Sequence, residues 1–361
     1  MRNSRRKGTP EDVYPFDEWR LVEKRFDPRY LAATESLFAT ANGYLGMRGT
    51  ADEGQPTVHS GTYVNGFHET WPIVYGEEAH GFAKQGQTII DVPDAKVIKL
   101  YVDDEPFYLP TATLEHFERA LDMRAGTLDR DLVWAHSSGQ RVSIKSRRLV
   151  SLEHRHLAAV AYDITLLTNA APVLIVSEIV DGRVSTEPES ASTQDPRIRE
   201  FGCEVLEPQG HSVGPVRVVI GFKAQASGMT LSCGIDHSMQ TDCDFTSDVH
   251  VESSSGRVSY SIDGRVGARI RLIKYITYHS SRRPQAQELC RRSDRVLDRA
   301  VQHGFEDLLQ SQREFLDDFW SRSDVVIDGR AEWQQTVRFN LFHICQATAR
   351  AEGVGVPAKG L

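Results

Sequence analysis

The densest group of residues that could bind a ligand lies between Gly61 and Pro72. This segment holds three aromatic side chains and three polar ones: Tyr63, Phe67 and Trp71, with Asn65, His68 and Glu69 between them. Aromatic faces cover the apolar C–H side of a pyranose ring, while amide, imidazole and carboxylate groups hydrogen-bond its hydroxyls. The segment therefore indicates a sugar-binding surface. A strand pair whose aromatic residues fill a sandwich core explains the same pattern, and both interpretations stay open.

Carboxylates are the second kind of residue to consider in a protein that acts on sugars, because cleavage of a glycosidic bond requires an acid beside the leaving oxygen. The chain has 50 Asp and Glu residues, so candidates are easy to find. The runs 103–105 and 317–318 are typical of solvated turn and helix-face charges. No catalytic residue is therefore nominated.

Signatures of several other chemistries do not occur in the sequence. It contains no phosphate-binding GxxxxGK[ST] loop, no GxSxG elbow and no HExxH motif. Asn42-Gly43 and Asn65-Gly66 predict hairpin turns with positive φ. His154 and His156 would share one face of a strand, but no third ligand is indicated, so no metal and no protein-bound cofactor are predicted.

The amino-acid composition of the chain bears on which classes of binding partner to expect. Forty-two Lys and Arg against 50 Asp and Glu leave a net charge of −8, which gives no electrostatic reason to expect nucleic acid or an anionic membrane. The most apolar stretch, 166–180, is interrupted by polar residues and is too short to span a bilayer. Five widely spaced cysteines without a CxxC pair favour buried thiols in a reducing cytoplasm: Cys203, Cys233, Cys243, Cys290 and Cys345.

The elements that must position these residues change type once along the chain, near residue 280. Before it, apolar residues alternate with period two; 127–168 predicts an antiparallel meander, and 268–278 a long strand broken only at Lys274. Many short strands predict a large antiparallel β-sandwich over 19–279. Residues 1–18 begin with Arg2, Arg5, Arg6 and Lys7 and are predicted to be a flexible basic tail.

Helical spacing follows residue 284. The segment 280–323 predicts a helical linker, with a first helix ending at Gly304 and a second starting at Phe305. A short strand is predicted at 325–327. A third helix, 331–349, is apolar nearly all round, so we expect other helices to enclose it on several sides, and hence further helices beyond Leu361.

Four segments, taken in order, carry a resemblance to a known family: 35–38, 41–49, 61–66 and 338–342. Together they resemble glycoside hydrolase family 65, which contains maltose, trehalose and kojibiose phosphorylases. The resemblance runs from about Trp19 to Leu361. It implies a galactose-mutarotase-like β-supersandwich, then a helical linker, then an (α/α)6 barrel of which 324–361 would be only the beginning.

The resemblance also implies an activity and its substrates. In such phosphorylases a glutamic acid protonates the leaving oxygen of a disaccharide while inorganic phosphate, the co-substrate, attacks the anomeric carbon and yields β-glucose 1-phosphate by inversion. The family's catalytic glutamate and phosphate loop would lie beyond Leu361. The chain alone is therefore expected to be inactive, and no catalytic residue carries over.

What the chain would contribute is one rim of the active site. The candidates are the 61–71 residues named above together with three residues of the third helix: Arg338, Asn340 and His343. Two further hypotheses stay open: a stand-alone carbohydrate-binding module, and an oligomerisation domain that forms a homodimer.

Overall fold

The fold is described from a computed structural model, which covers residues 12–77, 79–181, 195, 197, 201, 203–283 and 285–356. The strands are β1 (Arg20–Glu23), β2 (Thr40–Ala41), β3 (Leu45–Met47), β4 (Thr62–Val64), β5 (His68–Pro72), β6 (Gln85–Ile89), β7 (Ile98–Val102), β8 (Glu105–Pro106), β9 (Thr113–Asp122), β10 (Thr127–Ala135), β11 (Arg141–Val150), β12 (Leu157–Leu166), β13 (Ala171–Ile179), β14 (Leu206–Val213), β15 (Val218–Ala224), β16 (Thr230–Thr241), β17 (Phe245–Val251), β18 (Gly256–Gly264) and β19 (Arg269–Ser281). The helices are α1 (Leu31–Leu37), α2 (Ala286–Ser323) and α3 (Ala331–Thr348), with 3₁₀ turns at Pro28–Tyr30 and Cys203–Val205.

Two antiparallel sheets form the predicted sandwich. The larger has the order β1-β9-β10-β11-β12-β19-β16-β15-β14, and the smaller has the order β17-β18-β13-β7-β8. The main hydrophobic core lies between them, because alternate side chains of each strand point to the facing sheet. The mainly β architecture and the meander over 127–168 are thereby confirmed.

Strand β12 shows why the larger sheet has little exposed surface at its centre. Val160 and Tyr162 belong to the core between the sheets, whereas Ala159 and Ala161 pack with residues of α2 on the opposite face. The alternating pattern predicted a half-buried strand. Both faces are buried because α2 covers the outer one.

Lys274 interrupts the alternation of β19, yet it is fully buried. Its Nζ donates to the carbonyl oxygens of Val97 (2.9 Å) and Glu178 (3.0 Å). Burial lowers the pKa of Lys274 to about 7, because the charged form loses its hydration. Lys274 therefore links strands through buried hydrogen bonds and is not an exposed position.

Helix α2 contains the break that Gly304 predicts. Gly304 has φ 80° and ψ 167° inside an otherwise helical run, a conformation that glycine adopts without the Cβ penalty. The segment before the break packs on β16 and β19, and the segment after it reaches the N-terminal region. In the described part of the chain, no helix is both long and apolar enough to cross a membrane.

The N-terminal and cysteine predictions have mixed outcomes. Residues 1–11 lie outside the described residues, but Val13 and Tyr14 are buried, so the flexible tail predicted to residue 18 is wrong there. The Tyr14 hydroxyl is 2.7 Å from Thr34 Oγ1, and the Lys24 amide donates to the Val13 carbonyl. All five cysteines are buried with free thiols, as predicted.

Helix α3 is covered by this chain on one face. Its buried residues are Gln334, Gln335, Arg338, Phe342, Cys345 and Gln346. On the other side Trp333 and Ile344 are 56% and 60% exposed. No strand forms at 325–327, where Gln334 instead binds the main chain of Val325 and Ile327. The domain boundaries at 279 and 323 stay predictions.

Candidate functional site

Two Asn-Gly turns lie side by side next to the end of α3, and we call them the turn platform: Asn42-Gly43 between β2 and β3, and Asn65-Gly66 between β4 and β5. Gly43 and Gly66 have φ values of 83° and 81°, which confirms the predicted turns. The Asn42 Oδ1 accepts hydrogen bonds from the amides of Tyr44 (3.0 Å) and Leu45 (2.8 Å). The asparagine side chain thereby fixes its own turn.

The turn platform holds the end of α3 and the segment after it. A Cβ on Gly43 would lie 2.7 Å from the Ala347 carbonyl oxygen, so only glycine allows this approach. The Asn42 carbonyl accepts from the Arg350 amide (2.6 Å). Asn65 Nδ2 donates to the carbonyls of Gly43 (2.7 Å) and Gly355 (3.0 Å). Residues 347–355 are thus placed by main-chain contacts to two β-turns.

Tyr63 and His68 keep partly exposed side chains beside the turn platform. The Tyr63 hydroxyl is 3.5 Å from His59 Nε2, and His59 Nδ1 is 3.3 Å from an Asp91 carboxylate oxygen. Burial raises the pKa of Asp91, with the neighbouring His59 acting in the opposite direction. His68 Nδ1 lies 3.0 Å from the Gly66 carbonyl and donates to it, so that Nε2 is the acceptor when the ring is neutral.

Phe67, Glu69 and Trp71 are buried and have little surface for a sugar. Phe67 belongs to the core between the sheets. Glu69 accepts hydrogen bonds from the amides of Ala226 (3.1 Å) and Ser227 (2.6 Å) and so closes a loop. The Trp71 ring lies 5.7 Å from that of Phe201. The core interpretation therefore accounts for Phe67, whereas Glu69 and Trp71 are buried in other contacts. The rim role of Tyr63, Asn65 and His68 stays a prediction.

The candidates on α3 have different surroundings. Arg338 is buried; it forms a two-pronged ion pair with Asp324 (2.9 Å twice), and its guanidinium lies 3.8 Å from the Trp19 ring centroid. It therefore anchors the helix. Asn340 is exposed and donates to the carbonyl one turn before it. His343 packs on Phe339, and burial lowers its pKa to about 4.

The structure does not bring all the candidates together. Arg338 contacts residues 18, 19 and 324, whereas the turn platform contacts residues 347–355 and the adjacent Ala41 binds Gln346. Sequence reasoning missed the residues that join the platform to α3, above all Gln346, whose Oε1 accepts from the Ala41 amide (2.6 Å), and Arg350. The Asn-Gly pairs marked the turns, but no local pattern marks partners about 300 residues away.

Comparisons with known proteins identify the family of the chain. The family model described as "Glycosyl hydrolase family 65, N-terminal domain" matches residues 21–319. An α,α-trehalose phosphorylase of Thermoanaerobacter brockii is 35% identical over 358 residues, which cover 98% of this chain and 46% of that protein. A relative from Mycobacterium leprae with the name "Uncharacterized glycosyl hydrolase" is 36% identical over 97% of this chain and 44% of its own length.

A solved structure of a putative kojibiose phosphorylase from the human microbiome has the same fold, with a TM-score of 0.81 and 20% identity over 93% of this chain and 42% of that one. The chain thus spans about half the length of the relatives that it matches. The match of the family model over most of the chain and the 35–36% identity of these relatives agree. The chain therefore belongs to glycosyl hydrolase family 65 and contains the N-terminal domain of that family.

Proposed function

We propose that this chain is the N-terminal part of an inverting disaccharide phosphorylase that works in the cytoplasm and converts trehalose or maltose and phosphate into β-glucose 1-phosphate and glucose. The observation that carries the proposal is the 35% identity to an α,α-trehalose phosphorylase over 98% of the chain. The five buried thiols support a reducing compartment. A homodimer stays a prediction.

In this proposal the β-sandwich positions the sugar-binding part of the enzyme. The turn platform fixes residues 347–355, and the (α/α)6 barrel that the resemblance implies would continue from them. Because His68 Nδ1 donates to Gly66, Nε2 of the neutral ring is left to accept a hydrogen bond from a hydroxyl. Tyr63 and His68 would then line one rim.

The proposed phosphorolysis needs no catalytic residue from this chain. A phosphate oxygen forms the new bond to the anomeric carbon while the bond from that carbon to the glycosidic oxygen breaks. The proton on the departing oxygen comes from the glutamic acid that the resemblance places beyond Leu361. The chain alone should therefore release no glucose 1-phosphate.

A chimera tests the proposal. The chain is followed by the remaining part of the Thermoanaerobacter brockii α,α-trehalose phosphorylase and is assayed with trehalose, with and without phosphate. We expect phosphate-dependent release of β-glucose 1-phosphate from the chimera and none from the chain alone. His68→Gln should lower kcat/KM about tenfold, the cost of one hydrogen bond to substrate. His250→Gln, an exposed histidine on β17, is the control and should change nothing.

Three outcomes would contradict the proposal. Glucose release that does not depend on phosphate would indicate a hydrolase. A chimera that is folded by circular dichroism but inactive would remove the phosphorylase assignment. Heat of disaccharide binding to the chain alone, without activity in the chimera, would support the stand-alone binding module.

A further inference from the structure

A cavity of about 330 Å³ lies between α2 and residues 151–156, which connect β11 to β12. Its lining is rich in histidine and arginine: Glu153, His154, Arg155, His156, Leu157, Val296, Arg299, Ala300, His303 and Leu308. The volume is in the range of small-molecule sites. His154 and His156 lie in the connection and not on a strand, so the shared strand face that their spacing predicts does not form.

Two elements supply the basic side chains from opposite walls. On α2, Val296, Arg299 and His303 recur at helical spacing and so share one face. On the connection, the His154 ring stacks on the His303 ring with centroids 6.3 Å apart. The Arg155 guanidinium lies 4.5 Å from the Tyr44 ring centroid. The arrangement places two arginines and three histidines around one space.

The two arginines of this cavity outnumber its one carboxylate, and Glu352, which interacts electrostatically with Arg155, is paired with Arg350 at 2.9 Å. Arg155 and Arg299 form no ion pair with any of the described residues, and the Arg299 Nε donates to a main-chain carbonyl of its own helix (3.2 Å). The carboxylate in the lining, Glu153, is paired with Arg350 at 3.5 Å. An anion entering the cavity would therefore meet two guanidinium groups that no ion pair in this described part of the chain holds, while Glu153 and Glu352 are both paired with Arg350.

Buried polar atoms behind the wall also lack partners within the described ranges. His279, 7% exposed, stacks on His156 with ring centroids 4.0 Å apart, and its Nε2 has no hydrogen-bond partner. Arg155 Nε is buried and likewise unpaired. Unsatisfied buried donors and acceptors are rare in native proteins and point to a missing water or ligand. Here they adjoin the basic cavity.

We infer that this cavity is a second, separate anion site that binds a phosphate group, either as inorganic phosphate or as the phosphate monoester of a sugar. Guanidinium forks match the geometry of phosphate oxygens, and histidines on both walls can donate to the remaining oxygens. The site lies on this chain, at the junction of sandwich and α2. It does not depend on the proposed activity, because it uses none of the rim candidates.

Calorimetry on the 361-residue chain tests the inference. Inorganic phosphate, glucose 1-phosphate, sulfate and glucose are titrated separately at constant ionic strength, so that general screening cannot mimic binding. We expect phosphate to bind with a Kd of about 1 mM or lower and glucose not to bind. Glucose 1-phosphate binding about tenfold more tightly than phosphate would identify the sugar ester as the ligand, whereas equal affinities would identify the free ion.

Substitutions locate the site. Arg299→Gln and His303→Gln affect exposed side chains, so the fold should survive, and each should weaken phosphate binding about tenfold through loss of a charge-assisted hydrogen bond. Arg291→Gln removes the same charge from an exposed position of α2 outside the cavity and should leave the Kd unchanged. Absence of phosphate binding at about 20 mM, or an equal loss in Arg291→Gln and Arg299→Gln, would overturn the inference.

Discussion

The stacked pair His156 and His279 shows how burial sets the charge of single residues in this chain. Burial lowers the pKa of His156 to about 4 and that of His279 to about 2, and arginines nearby act in the same direction. The charged and titratable groups around the pair are Tyr44, Arg155, Arg292, Arg295, Arg299 and Glu352. Both rings are therefore neutral in the folded chain at pH 7.

This neutrality predicts a loss of stability in mild acid. In the unfolded chain both histidines have a pKa near 6.5. Acidification therefore protonates them in the unfolded chain while they stay neutral in the folded chain, and this favours unfolding. The stability that the neutral rings give the folded chain is fully present above about pH 6.5 and is lost as the pH falls toward 4. At pH 5 we expect a loss of about 2 kcal/mol per histidine in the free energy of unfolding by urea.

Substitution separates this effect from the titration of carboxylates. His279→Gln should remove about 2 kcal/mol of the loss between pH 7.5 and pH 5, since one titrating ring is gone while His156, His237 and His343, whose pKa values burial also lowers, remain. His250→Gln, on the exposed β17, should keep the full loss. Identical pH dependence in the two variants would contradict the interpretation.

Buried charges are also where single-residue prediction from the sequence was weakest. Lys274 and Arg148 are almost fully buried, and Arg130 forms a buried ion pair with Glu53 at 2.7 and 2.8 Å. A charged residue in an alternating strand pattern normally indicates an exposed side chain, because burying an unpaired charge in a core is costly. The partners that make these positions possible come from distant strands, so nothing local reveals them.

At the scale of elements, the contact between the β2–β3 turn and α3 can be tested through glycine. Gly43 and Gly139 both have φ 83°, so Ala at either position pays the same conformational cost of about 1 kcal/mol. A Cβ at Gly139 meets nothing within 4 Å, whereas at Gly43 it meets the Ala347 carbonyl at 2.7 Å. We expect Gly43→Ala to destabilise the chain by about 3 kcal/mol, measured by urea unfolding.

Hydrogen exchange gives the second measurement for this contact. Gly43→Ala should accelerate amide exchange at the C-terminal turn of α3 and at Arg350, whose amide donates to the Asn42 carbonyl. Gly139→Ala should leave those amides unchanged. Equal destabilisation by the two substitutions would mean that the turn platform does not hold α3.

Local elements and the pairing of consecutive strands in the meander were well predicted, whereas pairing between distant strands was not. The meander, the change from strand to helix near 280, the break at Gly304 and the start of α3 at Ala331 follow from periodicity and turn residues. The pairing of β12 with β19 joins positions more than 100 residues apart and has no local signal. The predicted strand at 325–327 failed because an apolar triplet is too short to distinguish a strand from an extended loop.

At the scale of the whole molecule, α3 has one face on this chain and one face away from it. Its apolar sequence predicts that removal of the chain after about Arg322 improves solubility, but the structure argues against this. Phe342 and Cys345 pack in one cluster with Trp320, Leu316 and the buried N-terminal residues. Deletion would expose that cluster, so the helix is part of the folded unit.

Substitutions on the two faces of α3 should therefore act differently. Trp333→Gln with Ile344→Gln changes the exposed face and should raise solubility with a change in unfolding free energy of less than about 0.5 kcal/mol. Phe342→Ala, on the covered face, should cost about 3 kcal/mol. A large loss of stability in the double variant would show that this chain covers the outer face as well.

The candidate site was predicted only in part for a related reason. The two Asn-Gly turns and the 61–71 segment were located from the sequence, but the division of that segment into buried residues and partly exposed ones was not. Strand alternation is interrupted between β4 and β5 by the turn, so the face of each side chain depends on the register of both strands.

Three glutamine side chains of α3 fix the orientation of the helix on the sandwich through the main chain. Gln334, Gln335 and Gln346 bind main-chain groups of Val325, Ile327, Arg20 and Ala41 and no side chain of those residues. A joint built on backbone atoms constrains the path of the polypeptide and not the identity of the amino acids along it. The side chains at those four positions can thus change without removing these hydrogen bonds, whereas loss of a single glutamine would loosen the contact of the helix with the sandwich.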